Sequence, residues 1–171
     1  MNYYQGMNDV AAVMLLTLGP NSGFQTCEIA SRFLLTDFLQ LPFDQGLVPL
    51  FHLVFFLLKS VDPDLYSLAS DDGLQPMPIF ATSWILTTFA HDIESLEAVQ
   101  RLYDVLLASH PLMIVYLCVA MIKLYEEELE ENAEEMQSSV CFFVFKAPLK
   151  KLNSLDQVNR LVSLALEFEE Q

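Results

Sequence analysis

Read for the spacing of its apolar positions, the chain is helical almost throughout. Asn8–Leu18 is apolar at nearly every position and stops at Gly19-Pro20. That is the pattern of a buried helix with a breaker pair at its end. Between Cys27 and Leu39, apolar Ile29, Ala30, Phe33, Leu34 and Phe38 oppose polar Glu28, Ser31, Arg32 and Asp37, which predicts an amphipathic helix. Leu47–Val61 predicts a second buried helix. Asp62 then offers a side-chain cap and Pro63 a first helical residue, so a short helix runs to about Ala69. Ser70–Gly73 and Pro76–Pro78 read as loop. Helices follow over about Pro78–Phe89 and Ser95–Leu107, the second with Arg101 and Asp104 on one face. Pro111 opens a long helix that leaves the core at Lys123. Seven of the ten residues Glu126–Glu135 are glutamate, which demands a solvated face or a kink. A helix from about Glu135 to Phe145 stops before Pro148. Ser154-Leu155-Asp156-Gln157 is a capping box for a last helix ending near Glu167. No run alternates in the manner of a strand between hairpin turns. The expected fold class is all-α, a single unit over residues 1–171 with eight or nine helices. Its short connections favour antiparallel neighbours.

Composition alters this picture at one point. Hydrophobic residues make up 53% of the 171, enough for a sizeable core and too many for a disordered chain. The mean hydropathy of +0.36 is nonetheless high for a self-sufficient soluble domain. Either a helix crosses a membrane, or the chain is a fragment whose apolar face expects a partner. The longest apolar runs are Leu47–Leu58, interrupted by His52, and Pro111–Ile122, flanked by His110 and Lys123. Both fall short of the ~18–20 residues a spanning helix needs. No cationic segment precedes an apolar run near the start, so no signal peptide is visible. The expectation is therefore a fragment with no membrane span. Eight Lys and Arg against 23 Asp and Glu give a net charge of −15. Such a chain has no electrostatic footprint for nucleic acid, and anionic membranes should repel it. Cys27, Cys118 and Cys141 are too few and scattered for a disulfide framework, and fit a reducing, cytosolic compartment.

The usual catalytic constellations are missing. His52, His91 and His110 are far apart in sequence, and each reads as a histidine at a helix end or half-buried. Asp71-Asp72-Gly73 lacks the other ligand positions of a calcium loop, so no metal site is expected. There is no phosphate-cradling glycine loop and no G-x-S-x-G elbow. The seven methionines sit at core spacing. The distinctive segment is Tyr3-Tyr4-Gln5-Gly6-Met7-Asn8-Asp9, polar and aromatic, directly before a buried helix. Its plain structural reading is a helix start, with Asn8 or Asp9 as cap and Gly6 allowing the turn.

That same segment resembles the Y-x-Q-G-M-N-D element of TBC-domain proteins, which accelerate GTP hydrolysis by Rab GTPases. Two further stretches agree. Phe80-Ala-Thr-Ser83-Trp84-Ile-Leu-Thr-Thr-Phe89 is similar to the family's S-W-x-x-x-x-F helix. Arg101-Leu-Tyr103-Asp104-Val-Leu-Leu107 is similar to its R-x-W-D-x-x-L helix, with Tyr103 in place of tryptophan. Continued through Ser109-His110-Pro111-Leu112-Met113, that stretch most resembles the subgroup associated with the endoplasmic reticulum and early secretory pathway. The resemblance runs from Tyr3 to roughly Tyr125 and weakens after the acidic run.

The resemblance implies a partner, a Rab small GTPase, which itself holds the GTP and Mg; the chain would need no cofactor of its own. Hydrolysis of GTP requires an oriented water and stabilisation of the charge growing on phosphate oxygens. In the family a glutamine and an arginine supply these in trans. Gln5 stands at the glutamine position, where its carbonyl can accept from water while its NH2 donates to phosphate oxygen. Tyr3, Tyr4, Gly6 and Asn8 would brace that loop or meet the GTPase. The family's arginine lies in an I-x-x-D-x-x-R element ahead of the Y-x-Q element, and that element is not in the 171 residues. Of Arg32, Arg101 and Arg160, none reads as a substitute. The implied chain is thus the C-terminal portion of a TBC domain with impaired activity, or else a catalytically silent helical interaction module. The resemblance further implies vesicle trafficking on the cytoplasmic side, with attachment to endoplasmic reticulum or Golgi membranes through parts lying elsewhere.

Overall fold

The structure is a computed structural model describing residues 3–70, 77–135 and 152–170. The Asp71-Asp72-Gly73 turn and the helix expected beyond Glu135 lie outside the described residues. Among the described residues all regular structure is helical: α1 (Met7–Phe33), α2 (Thr36–Gln40), α3 (Phe43–Gly46), α4 (Val48–Val61), α5 (Pro63–Ser70), α6 (Thr82–Leu86), α7 (Leu96–Ala108), α8 (Met113–Leu124), α9 (Glu126–Glu135) and α10 (Leu155–Glu169).

The core is organised around α8. Nine of its twelve residues are buried, so it needs apolar neighbours on nearly every side. It packs against α10, α4 and α6. Helix α10 presents Val158, Leu161, Val162, Ala165 and Phe168, one stripe at helical spacing, while Ser154 and Gln157 close its start as the expected capping box. Helix α7 starts where expected, with the Ser95 hydroxyl accepting from the Ala98 amide at 3.3 Å. Its Arg101 does not use the Asp104 expected beside it. The guanidinium Nε donates instead to Asn159 Oδ1 at 3.0 Å and ties α7 to α10.

Asp62 behaves as the sequence requires. Its Oδ1 accepts from the amides of Asp64 (3.1 Å) and Leu65 (2.9 Å), capping α5. Its Oδ2 meets Lys123 Nζ at 2.6 Å, and the same ammonium reaches Glu126 at 2.6 Å. The Leu65 amide, followed by Lys123, holds the Asp62 carboxyl below its ordinary range. Desolvation pulls Lys123 the other way, but its bonds to Asp62 and Glu126 prevail and raise it. The expected long helix from Pro111 divides here: α8 stops at Tyr125 and α9 carries the acidic run onward.

Some expectations fail locally. The helix expected over Cys27–Leu39 breaks after Phe33, where the Leu34 and Leu35 amides both donate to Ala30 O (2.8 and 2.9 Å). The break turns Leu35 and Leu39 into the core and leaves Ile29 and Phe33 exposed, although both belong to the apolar stripe. The helix expected over Pro78–Phe89 shrinks to a 3-10 turn (Ile79–Ala81) and α6. Beyond it Thr88 (φ 49°) and Phe89 (φ 66°) both adopt positive φ. That strain is offset by burial: Phe89 folds back to stack on Trp84 at 5.8 Å, and its amide donates to Trp84 O at 2.9 Å. By length and composition alone, Phe43–Val61, taken as one stretch of 19 residues, would pass for a membrane-crossing helix, a test that core helices also pass. The stretch exceeds the uninterrupted run Leu47–Leu58 because α3 leads into α4 across the polar positions Asp44 and Gln45. Phe51, Val54, Phe55 and Leu58 of this stretch lie in the core.

Candidate functional site

Gln5 sits in the short segment leading into α1, and the structure leaves it exposed. Its two neighbours are fixed. The Tyr4 hydroxyl donates to Leu86 O at 2.9 Å, and its ring meets Phe38 edge-on at 6.1 Å. Desolvation raises the Tyr4 phenol, so it stays a neutral donor. Gly6 is the N-cap of α1, with φ 104°, a left-handed conformation open to glycine at little cost. A Cβ added there would lie 2.6 Å from Thr87 Cγ2, so the loop rests directly on the turn after α6. Neither Asn8 nor Asp9 caps the helix: the backbone at Gly6 does so without a side-chain acceptor, and both polar residues ride in the first turn. Asp9 gains there from the helix dipole.

A chain of hydrogen bonds crosses the outside of this loop. The Tyr3 hydroxyl donates to Asn8 Oδ1 at 3.0 Å. Asn8 Nδ2 donates to Asp9 Oδ1 at 2.7 Å. Asp9 Oδ2 lies 2.8 Å from His91 Nδ1, a contact joining residues 82 apart in sequence. The segment and the turn after α6 border an open depression of about 500 Å³, whose wall includes Gln5, Asn8, Ile79, Thr82 and His91. Its base is firm. Thr87 Oγ1 donates to Ser83 O at 2.7 Å and accepts from the His91 amide at 3.2 Å, while Tyr103, buried in α7, donates to Thr87 O at 3.1 Å.

Of the residues singled out from sequence, Gln5, Tyr3 and Asn8 lie on the exposed side, whereas Tyr4 is half-buried and Gly6 buried. The structure thus places Tyr3, Tyr4, Gln5 and Gly6 in the segment before α1 and Asn8 in its first turn, and gives Tyr4 and Gly6 anchoring contacts. Sequence alone reads His91 as a histidine at a helix end or half-buried and gives Thr87 no role; the structure leaves the His91 ring exposed. Nothing in their local sequence marks them, and only the turn at Thr88-Phe89 carries them to the loop. The arginines lie in other company: Arg32 pairs with Glu28 at 2.6 Å and Arg101 bonds Asn159. Among the described residues no three His, Cys, Asp or Glu side chains gather where they could hold a metal ion.

The fold is thus all-α, with Gln5 exposed on a segment anchored through Tyr4 and Gly6. Residues 1–130 match the Rab-GTPase-TBC domain, and the chain belongs to that family. It is 38% identical over 120 residues to GTPase-activating protein gyp10 of Schizosaccharomyces pombe, covering 70% of this chain and 31% of that one. It is 34% identical over 131 residues to TBC1 domain family member 20 of Homo sapiens, covering 75% and 31% respectively. A match at 27% identity over 146 residues joins it to Rab GTPase-activating protein tbc-8 of Caenorhabditis elegans, covering 82% of this chain and 16% of that one. The chain thus spans about a third of the length of the first two relatives.

Proposed function

We propose that this chain is part of a GTPase-activating module for Rab-type GTPases, and that Gln5 is its glutamine finger. The observation that carries the reading is the contrast at the loop: Gln5 is free and exposed while Tyr4 and Gly6 on either side are fastened to Leu86, Phe38 and Thr87. A carboxamide held this way enters a partner's nucleotide site with little ordering left to do. It can accept a hydrogen bond from the hydrolytic water and donate one to a phosphate oxygen. Tyr3 and Asn8, exposed beside it, would meet the GTPase surface, and the GTP and Mg would be the partner's.

The charge-stabilising arginine would come from a longer polypeptide that contains this one, with the exposed side of α1 packed on that remainder. Arg32 and Arg101 are engaged elsewhere, which favours a second reading for the 171 residues alone: Rab binding without acceleration. The relatives named for Rab or GTPase activation, with the early-secretory likeness of the Arg101–Met113 stretch, support action on the cytoplasmic face of endoplasmic reticulum or Golgi membranes.

The test is single-turnover GTP hydrolysis by a panel of purified Rab GTPases, with and without the chain and its Gln5→Ala variant. A peptide bearing an I-x-x-D-x-x-R segment is added in a second series. Stimulation that is lost in Gln5→Ala supports the finger. Stimulation unaffected by that change refutes it. Binding without stimulation in either series establishes the silent module. An arginine finger contributes roughly 10³–10⁵ in rate, so the second series should exceed the first by a wide margin.

A further inference from the structure

We propose that His91 is a positioning residue for the Gln5 finger, acting through Asp9 to set the loop's geometry; this rests on the reading of Gln5 given above. The basis is the unbroken chain His91–Asp9–Asn8–Tyr3, whose contacts measure 2.8, 2.7 and 3.0 Å. Tyr3 and Asn8 flank Gln5 in sequence, so the chain closes a loop around it from the solvent side. Tyr4 and Gly6 hold the inner side through Leu86 and Thr87. Without the outer chain, the segment from Tyr3 to Asn8 would keep its inner anchors only.

His91 is itself rigidly presented. The positive-φ pair Thr88 and Phe89 reverses the chain after α6, with Phe89 fully buried. The His91 amide is then fixed on Thr87 Oγ1 at 3.2 Å. Asp9, with 27% of its side chain exposed, is the more sheltered partner, against 61% for the imidazole. A carboxylate oxygen only accepts, so Nδ1 carries the proton of this bond. A second anchor of this kind, on an element 82 residues away, adds little to global stability because an exposed ion pair contributes little. Its effect falls on the geometry of a loop, where a displacement of about 1 Å can cost up to about 10²-fold in rate.

The experiment compares the wild-type chain with His91→Ala, His91→Gln, Gln5→Ala and the His91→Ala/Gln5→Ala double variant. Single-turnover hydrolysis is measured on a Rab that the chain stimulates. His91→Ala should lower the limiting rate about tenfold, with the half-saturating concentration within about twofold. His91→Gln, whose NH2 can still donate to Asp9, should recover most of the loss. On the Gln5→Ala background, His91→Ala should cost nothing further, since its effect passes through the finger. Melting temperatures should stay within about 2 °C of wild type. A full His91→Ala loss on the Gln5→Ala background, or a loss confined to half-saturation, would overturn the proposal in favour of direct contact with the GTPase.

A second readout needs no GTPase. Nuclear-spin relaxation of the Gln5 and Asn8 amides in the free chain should report increased motion in His91→Ala and restored order in His91→Gln. Unchanged relaxation overturns the positioning role. Increased motion together with a harmless Gln5→Ala would uphold the latch and remove the finger.

Discussion

Helix α8 and the first half of α1 are both apolar at nearly every position, yet they end in opposite surroundings. Helix α8 keeps nine of its twelve residues buried beneath α10, α4 and α6. Helix α1, with 27 residues, buries only Val10, Val13, Met14, Gly23 and Ala30. Leu15, Leu18 and Ile29 stand exposed, as do Leu16 at 71%, Phe24 at 67% and Phe33 at 78%. An apolar face in a sequence therefore says that burial is wanted, not that the same chain supplies the cover. Singly exposed leucines are ordinary; several large side chains along one helix are not.

The contrast can be broken most sharply from its buried side. Leu117 in α8 is fully buried. Leu117→Ala should destabilise the chain by about 2–5 kcal/mol, the cost of a large-to-small change in a packed core. Denaturant unfolding measures it. A loss below about 1 kcal/mol would mean that α8 is not the packed centre, and the comparison would fail there.

A middle case lies within α1 itself. Gly19 (φ 75°) breaks the helix, and the chain then returns so closely that a Cβ at Gly23 would lie 2.7 Å from Met14 O and 2.8 Å from Leu15 Cα. Those are backbone atoms and cannot swing aside. Gly23→Ala should cost about 1–3 kcal/mol by forcing the two halves apart, again read by denaturant midpoint. An unchanged midpoint would show that α1's halves are loosely joined and that its exposure reflects mobility instead of a missing cover.

How far the sequence could be read follows the same division. Where a local signal and tertiary packing agree, the reading holds: the Asp62-Pro63 start of α5, the start of α7 at Ser95, the Ser154–Gln157 capping box and the Gly19-Pro20 break all stand where the residues put them. Where a long-range contact decides, it does not. The turn at Thr88-Phe89 depends on Phe89 stacking on Trp84, and no local propensity favours positive φ at a buried phenylalanine. The break after Phe33 depends on Leu35 finding the core. At the candidate site, the resemblance singles out Gln5 and its loop. His91 was not, because its relation to Asp9 exists only once 82 residues have folded between them.

Asp62 sharpens the comparison at the end of α8. It caps α5 and, through Lys123, fastens the end of α8 to it. Asp62→Asn should cost about 1–2 kcal/mol. Its folded carboxyl titrates below the ordinary value of 3.8, so its contribution is complete above that pH and fades as pH falls through the lowered value. Lys123 titrates above its ordinary 10.5, so its share is complete below that pH and fades on the alkaline side. Unfolding measured from pH 6 down to pH 2 should show wild type losing its advantage over Asp62→Asn. A constant gap across that range would mean that the Asp62 charge contributes nothing, either to the cap or to the ion pair.

The smallest effect is expected on α1's outer side. Leu16→Ser and Phe24→Ser remove apolar surface that water already covers in this chain, so each should change its stability by no more than about 0.5 kcal/mol. The same pair should lower any self-association seen by sedimentation, because less apolar surface is offered to a second copy. In a longer polypeptide that packs against α1, the identical changes should cost about 2–5 kcal/mol each, because there they would empty a core. The two measurements bear on one question from opposite sides. A large loss in the 171-residue chain would show that α1 is already covered. Near-zero losses in both contexts would leave α1's side chains exposed for some purpose other than completing a core.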